Sequence, residues 1–247
     1  MKILVCVCQT PDTAAKIDFV DNNTQFNANG VTFIMNPTDE WYALVRAIEL
    51  KKQHGGTVTT ITVGGAENEQ TIRKGLAIGA DDAVRIDTNA ADSYGVAAQI
   101  AEYARSQNYD LILTGKETID YNGSSVGGMI AELLDLPYLS GSSHLDMPDA
   151  NTAIAKCEIE GGIETLSAAT PLVISSQKGM AEQVIPNMQG IMLSRRKPLT
   201  VVAPAAINDL ASVKVFEKPA PRSSVKLIDP DNAADLIRLL HEEAKVI

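Results

Sequence analysis

Along the first 137 positions, apolar runs alternate with amphipathic stretches and turn residues. Ile3-Leu4-Val5-Cys6-Val7 is continuously apolar, the pattern of a strand buried on both faces. Residues 16–35 read as a hairpin, with Asp21-Asn22-Asn23 and Asn27-Ala28-Asn29-Gly30 supplying turns between two short β-like stretches. Asn36-Pro37-Thr38-Asp39-Glu40 then opens a helix, with Thr38 or Asn36 as cap and the acidic pair at the positive end of its dipole. Trp41, Leu44, Val45 and Ile48 follow at i, i+3, i+4 and i+7, one apolar face. A strand over Val58 to Val63 ends in Gly64-Gly65, and a helix over Asn68 to Ile78 stops at Gly79. Ala83 to Ile86 is a strand. Ser93 to Gln107 is a helix with Ala97, Ile100, Ala101 and Ala104 inward, and Leu111-Ile112-Leu113 is a strand. A polar loop from Gly115 to Ser124 enters a helix carrying Val126, Ile130, Leu133 and Leu134 on one side. Strands alternating with helices predict an α/β fold of parallel βαβ units, its sheet covered on both faces.

After Pro137 the period changes. Ala153 to Ile159 and Ile163 to Ala168 alternate around Glu160-Gly161-Gly162, a hairpin signal, and Pro171 to Ser175 is a further buried strand. Residues 203–230 contain four prolines and little periodicity, too little to hold a core. Asp231 to Lys245 is a capped terminal helix. The expected organisation is a nucleotide-binding-type α/β domain over 1–202 and an extended arm with a helix over 203–247.

Charge narrows the partners. A formal net charge of -10 argues against nucleic acid, which selects basic surfaces, and suits a protein partner with a basic patch. Cys6 and Cys8, two apart in an apolar run, point to one face of a strand. They read as reduced core thiols, since no second pair and no C-x-x-C spacing supports a metal or redox site. The N-terminus lacks a signal-peptide pattern and no apolar run reaches membrane-span length, so the expectation is a cytoplasmic chain.

In an open parallel sheet, ligands bind beyond the carboxyl ends of the strands. Four loops leave such ends: Gln9 to Thr13, Asn36 to Asp39, Val63 to Ala66, and Gly115 to Ser125. The last joins a buried strand to a helix start. Its free N–H groups, with the Ser124 and Ser125 hydroxyls, make a phosphate site, and Asp120 is placed for ribose hydroxyls; an ordinary βα loop has the same pattern. No Walker loop and no G-x-G-x-x-G follows the first strand. His54, His144 and His241 are scattered, and no catalytic constellation is present, so no catalytic residue and no metal ligand is assigned. Arg195-Arg196-Lys197 is either a solvated turn or a docking patch for an acidic partner.

In chain order stand Val5-Cys6-Val7-Cys8-Gln9-Thr10-Pro11-Asp12, Met35-Asn36-Pro37, Glu69-Gln70-Thr71-Ile72-Arg73 and Ala77-Ile78-Gly79-Ala80-Asp81. Gly115-Lys116-Glu117-Thr118-Ile119-Asp120, Glu160-Gly161-Gly162-Ile163-Glu164-Thr165-Leu166 and Ile185-Pro186-Asn187 follow. Their order and spacing resemble the electron transfer flavoprotein beta-subunit family over nearly the whole chain. The resemblance implies a Rossmann-like parallel sheet, similar to the adenine nucleotide alpha hydrolase fold, with a small antiparallel extension. It implies a heterodimer with an alpha subunit, an FAD shared with that subunit, and AMP, or a second FAD in bifurcating members, in the beta site. Electrons would come from flavin dehydrogenases such as those of fatty acid oxidation.

By the same resemblance the nucleotide site takes Cys6, Asn36, Pro37, Thr38, Asp39, Val63, Gly115, Lys116, Asp120, Asn122, Gly123, Ser124, Ser125 and Val126. Ile185, with Pro186 and Asn187, matches the family's recognition loop for dehydrogenases, and Arg195, Arg196 and Lys197 stand where the family is rich in lysine. The chain departs from the family at Cys8, usually Lys, and at Ser124-Ser125-Val126, which replaces Asn-Gln-Thr of AMP-type members. An ATP-cleaving enzyme on the related adenine-nucleotide fold would need a Gly/Ser-rich loop where Cys8-Gln9-Thr10-Pro11-Asp12 stands. A stand-alone nucleotide sensor would not need the Pro-rich arm.

Overall fold

β1 (Lys2–Cys6) lies at the centre of the molecule because both of its faces are apolar. Ile3 and Val5 point into one core, and Leu4 and Cys6 into a second. The computed structural model describes residues 1–221 and 225–247. After β1 come four short strands, β2 (Gln9–Pro11), β3 (Phe19–Val20), β4 (Gln25–Phe26) and β5 (Phe33–Met35). Helices and strands then alternate: α1 (Asp39–His54), β6 (Thr57–Val63), α2 (Glu69–Ile78), β7 (Asp82–Ile86), α3 (Ser93–Arg105), β8 (Leu111–Gly115) and α4 (Val126–Leu134). The second half comprises β9 (Tyr138–Asp146), β10 (Thr152–Ile159), β11 (Gly162–Ala169), β12 (Leu172–Ser176), α5 (Met188–Ser194), β13 (Leu199–Val202) and α6 (Ala233–Glu242).

The main sheet runs β11-β10-β9-β12-β8-β1-β6-β7-β13. From β9 to β13 all neighbours are parallel, and β10 and β11 add an antiparallel hairpin at one edge. The mostly parallel sheet, with antiparallel strands confined to its margin and to two small sheets, is the expected α/β architecture. α1 and α2 cover one face, where Leu44, Leu50, Ile72 and Leu76 are fully or almost fully buried. α3 and α4 cover the other with Ala97, Ile100 and Ile130. Each such aliphatic side chain contributes about 1.5–3 kcal/mol of burial.

Several local expectations change. The hairpin within 16–35 is only β3 and β4, closed by Asp21, Asn22 and Asn23 at φ 52°, 57° and 62°. Phe33–Met35 leaves it and pairs with Gln9–Pro11, so the second turn joins two different small sheets. Neither Thr38 nor Asn36 caps α1 through its side chain. Asn36 instead donates from Nδ2 to the Glu117 carbonyl at 3.0 Å and accepts at Oδ1 from Ile119 N–H at 3.4 Å. The third helix ends at Arg105, two residues early, and its cap is Asp92, which accepts from Gly95 N–H at 2.7 Å.

Among the described residues, the segment after Val202 has no regular structure until α6, yet it is pinned to the domain. Gln99 holds the Ala205 backbone at both ends, 2.9 Å each. Asp92 accepts from Leu210 and Ala211 N–H at 2.8 and 2.7 Å, and Asp209 accepts from Ala91 N–H at 3.0 Å. Phe216 stacks on Phe19 at 4.7 Å, and Lys218 pairs with Asp18 at 2.6 Å. Among the described residues no helix is long and apolar enough to cross a membrane.

Candidate functional site

The connections after β1 and β8 lead to opposite faces of the sheet, and their carboxyl ends diverge to leave a crevice. A cavity of about 550 Å³ opens there. Its floor is Cys6 at the end of β1, Val7 and Cys8 just beyond it, Ile61 and Val63 of β6, and Thr114 and Gly115 of β8. The β8–α4 loop supplies Lys116, Glu117, Thr118, Tyr121 and Gly123 to Val126. Ala90 to Ser93, Val96 and Ile100 form the α3 wall, and Ala211, Ser212 and Val213 of the arm close it.

The cavity thus gathers Cys6, Val63, Gly115, Lys116, Gly123, Ser124, Ser125 and Val126 from the sequence-based set. Asn36, Pro37, Thr38, Asp39, Asp120 and Asn122 are not on its wall. Asn36 is fully buried and holds the β8–α4 loop through the bonds given above. Asp39 accepts from Glu117 N–H at 3.3 Å, and Pro37 offers its carbonyl to Gln183. Asp120 is exposed and engaged within its own loop, accepting from Thr118 Oγ1 at 2.5 Å and from Tyr121 N–H at 2.9 Å. Asn122 and Ser124 adopt left-handed φ of 49° and 48°, which turn the loop back toward α4.

The α4 end of the cavity is suited to an anion. No side chain caps the first turn of α4, so its N–H groups are free, and the Ser125 hydroxyl stands beside them. Thr114 also lines the cavity, and its Oγ1 is buried against α4, where a Cβ on Gly127 would stand 2.7 Å from it. The Ser124 hydroxyl is already committed to Glu117 at 2.9 Å.

The β1 end is acidic. Glu40, only 6% exposed, accepts from Cys8 N–H at 2.7 Å. A Cβ on Gly115 would stand 2.8 Å from Glu40 Cγ, so glycine is what lets the β8 end approach this carboxyl. Burial pushes the Glu40 carboxyl up to about 7, with the Asp120 and Asp39 charges adding to the rise and the Cys8 donor opposing it. Burial also raises Asp39 and holds the Cys6 and Cys8 thiols well above their ordinary range, so both stay protonated. The cysteines are free, and no metal-binding cluster occurs among the described residues.

Sequence reasoning missed Glu40, Thr114, the α3 wall and the arm's contribution. The Asp39-Glu40 pair at the start of α1 was the one available signal for Glu40, and it served equally as a dipole partner.

The other sequence-selected surface lies around α5. Ile185 is 81% exposed, beside exposed Val184, Met188 and Met192. Asn187 caps α5, accepting from Gly190 N–H at 2.8 Å, and Pro186 is half-buried. Trp41 Nε1 donates to the Val184 carbonyl at 3.2 Å, fixing the loop's root. Arg195 and Arg196 are exposed. Lys197 is not free, because its ammonium donates to the Leu76 carbonyl at 2.9 Å and to that of Ala80, at the end of α2.

The family model for the electron transfer flavoprotein domain matches residues 24–207. The chain is 35% identical to the electron transfer flavoprotein subunit beta of Bacillus subtilis, with all of both chains covered. It is 33% identical to the protein of that name from Syntrophomonas wolfei, over 93% of this chain and 90% of the relative. To that of Homo sapiens it is 29% identical, over 100% and 99%. On these matches, and on the sheet and crevice just described, the chain belongs to the electron transfer flavoprotein beta-subunit family.

Proposed function

We propose that this chain is the beta subunit of a heterodimeric electron carrier and that its crevice holds AMP. The carrier takes electrons from flavin dehydrogenases, including those acting on acyl-CoA, and passes them onward. It is a carrier and not an enzyme working alone. The flavin, shared with an alpha subunit, supplies the one- and two-electron chemistry when bound. This chain's own residues bind, orient and exclude water.

The observation that carries the nucleotide reading is the uncapped α4 start on the wall of a cavity of mononucleotide size. A phosphate there would accept from the first-turn N–H groups and Ser125. The nucleoside would lie toward apolar Val63, Val96 and Ile100, under Ala211 to Val213. The volume suits one mononucleotide. A flavin dinucleotide in the same place would make the carrier a bifurcating one.

Support for the heterodimer comes from the arm. Leu210, Val215, Val225, Leu227 and Ile237 are exposed along it, which suits a segment lying on another subunit. Ile185 with the α5 methionines suits a recognition surface for dehydrogenases, since methionine adapts to several partners.

Ser125→Glu tests the site. A carboxylate beside the α4 start should occupy the anion position and expel the phosphate. Mass spectrometry of nucleotide released from the denatured protein identifies AMP or FAD in the parent and should find it lost in the variant. Unchanged occupancy would overturn the assigned position.

A further inference from the structure

Glu40 presents a puzzle to any anionic ligand. It is buried on the wall of the cavity, with one backbone donor and no cation within ion-pairing distance among the described residues. Its place in the first turn of α1 favours the ionised form. The surroundings work against it. Cys6 and Cys8 face it from the end of β1 as neutral thiols. Asp39 adjoins it on its own helix. From the β8–α4 loop come Glu117 and Asp120, with Lys116 the one cation and Tyr121 a neutral phenol. Asp92 stands on the α3 wall. Among the described residues, carboxylates outnumber cations around the cavity, and an arriving phosphate adds negative charge to a space already short of compensation.

The least costly response is for one buried carboxyl to take a proton, and Glu40 is the most enclosed of them. We propose that Glu40 is the positioning residue that couples occupancy of the crevice to proton uptake, so that the chain binds its nucleotide anion together with one proton. Protonated, Glu40 keeps one oxygen as acceptor for the Cys8 N–H and gains an O–H donor toward the cavity. Ionised, it offers acceptors alone and repels the phosphate. The inference rests on the reading of the crevice as a nucleotide site.

The direction with pH follows from linkage. The free carboxyl sits near 7 and the bound anion raises it further. Affinity is therefore greatest below about 7 and falls as pH rises through the free and then the bound value, by at most about tenfold per pH unit. The AMP phosphate has its second ionisation near 6, so above pH 7.5 its charge is constant and does not contribute.

Isothermal titration of AMP into the full-length, nucleotide-free chain at pH 7.5 to 9, in buffers of different ionisation enthalpy, measures the protons taken up. The expected result is uptake approaching one proton in the parent and none in Glu40→Gln, whose affinity is also flat with pH. Cys8→Lys is an independent second variant, because an ammonium beside Glu40 holds it ionised. It should bind AMP with little uptake, and it leaves Glu40 in place should the glutamine variant fold poorly. Parent binding without proton uptake, or the same uptake in both variants, overturns this inference and leaves the nucleotide site standing. Absence of AMP binding by the parent at every pH overturns both.

Discussion

A carboxyl buried in the first turn of α1 has a consequence for the chain without ligand. Its ordinary value is 4.5, and in the fold it stands at about 7. The folded state therefore binds this proton more tightly than the unfolded chain. Its contribution to stability is fully present below about 4.5 and is lost as pH rises to about 7. At 1.36 kcal/mol per unit the cost of ionising Glu40 in place is on the order of 3 kcal/mol. Glu40→Gln removes that cost, so it should stabilise the ligand-free chain by about 1–3 kcal/mol at pH 8.5 and by much less at pH 5. Urea midpoints at the two pH values, at unchanged slope, measure it. Equal shifts at both would mean that Glu40 ionises freely in the fold. The residue's position in α1 was legible in the sequence. Its role was not, because Asp39 and Glu40 satisfy the dipole rule equally, and only the approach of Gly115 and Cys8 from distant strands encloses Glu40.

At the scale of elements, the helices and strands up to α4 were legible because burial follows the apolar period. Ala97, Ile100, Ala101 and Ala104 are all buried, as their spacing requires. β9 was not legible. Its sequence, Tyr138-Leu139-Ser140-Gly141-Ser142-Ser143-His144-Leu145-Asp146, is polar and contains a glycine at φ 56°. It is a strand because β12 and β10 bind its two edges, which outweighs its own low propensity. α5 was hidden by its shortness, and Gly190 within it permits the close approach to α2, where a Cβ would stand 2.5 Å from the Ala77 carbonyl. That packing turns Ile185 and Met188 outward. Filling a partner pocket with one aliphatic side chain contributes about 1.5–3 kcal/mol. Ile185→Ala should thus raise the apparent Michaelis constant for the carrier with a flavin dehydrogenase about tenfold or more, leaving bound nucleotide and melting temperature unchanged. Lost nucleotide or an unchanged constant would show that the anchor lies elsewhere.

For the whole molecule, the arm reaches back to the site. The sequence marked 203–230 as unable to form a core, yet could not show that residues 211–213 reach back to a cavity whose other walls lie 85 or more positions earlier. That contact depends on Asp92 holding two arm N–H groups, a pairing without periodicity. Deletion of residues 203–247 should leave a cooperatively folding sheet domain, since both cores consist almost wholly of earlier residues. It should weaken AMP binding on the order of tenfold and abolish co-purification with an alpha subunit. A truncated chain that still binds both at full strength would separate the arm from both roles.

The position of β13 imposes an order on synthesis. β7 is complete once residue 86 has emerged, but the strand that pairs with its outer edge is residues 199–202. For more than a hundred residues of growth, the nascent sheet carries an open parallel edge. Arg85 lies on that strand, 7% exposed in the finished fold, its guanidinium held by the Gly64 carbonyl and Asp87. A charged side chain at an open edge discourages pairing with a second chain. Arg85 thus sets a charge on the edge that β13 later pairs. A chain halted before Leu199 keeps the exposed edge for good, which makes such fragments, more than the whole protein, the forms prone to self-association.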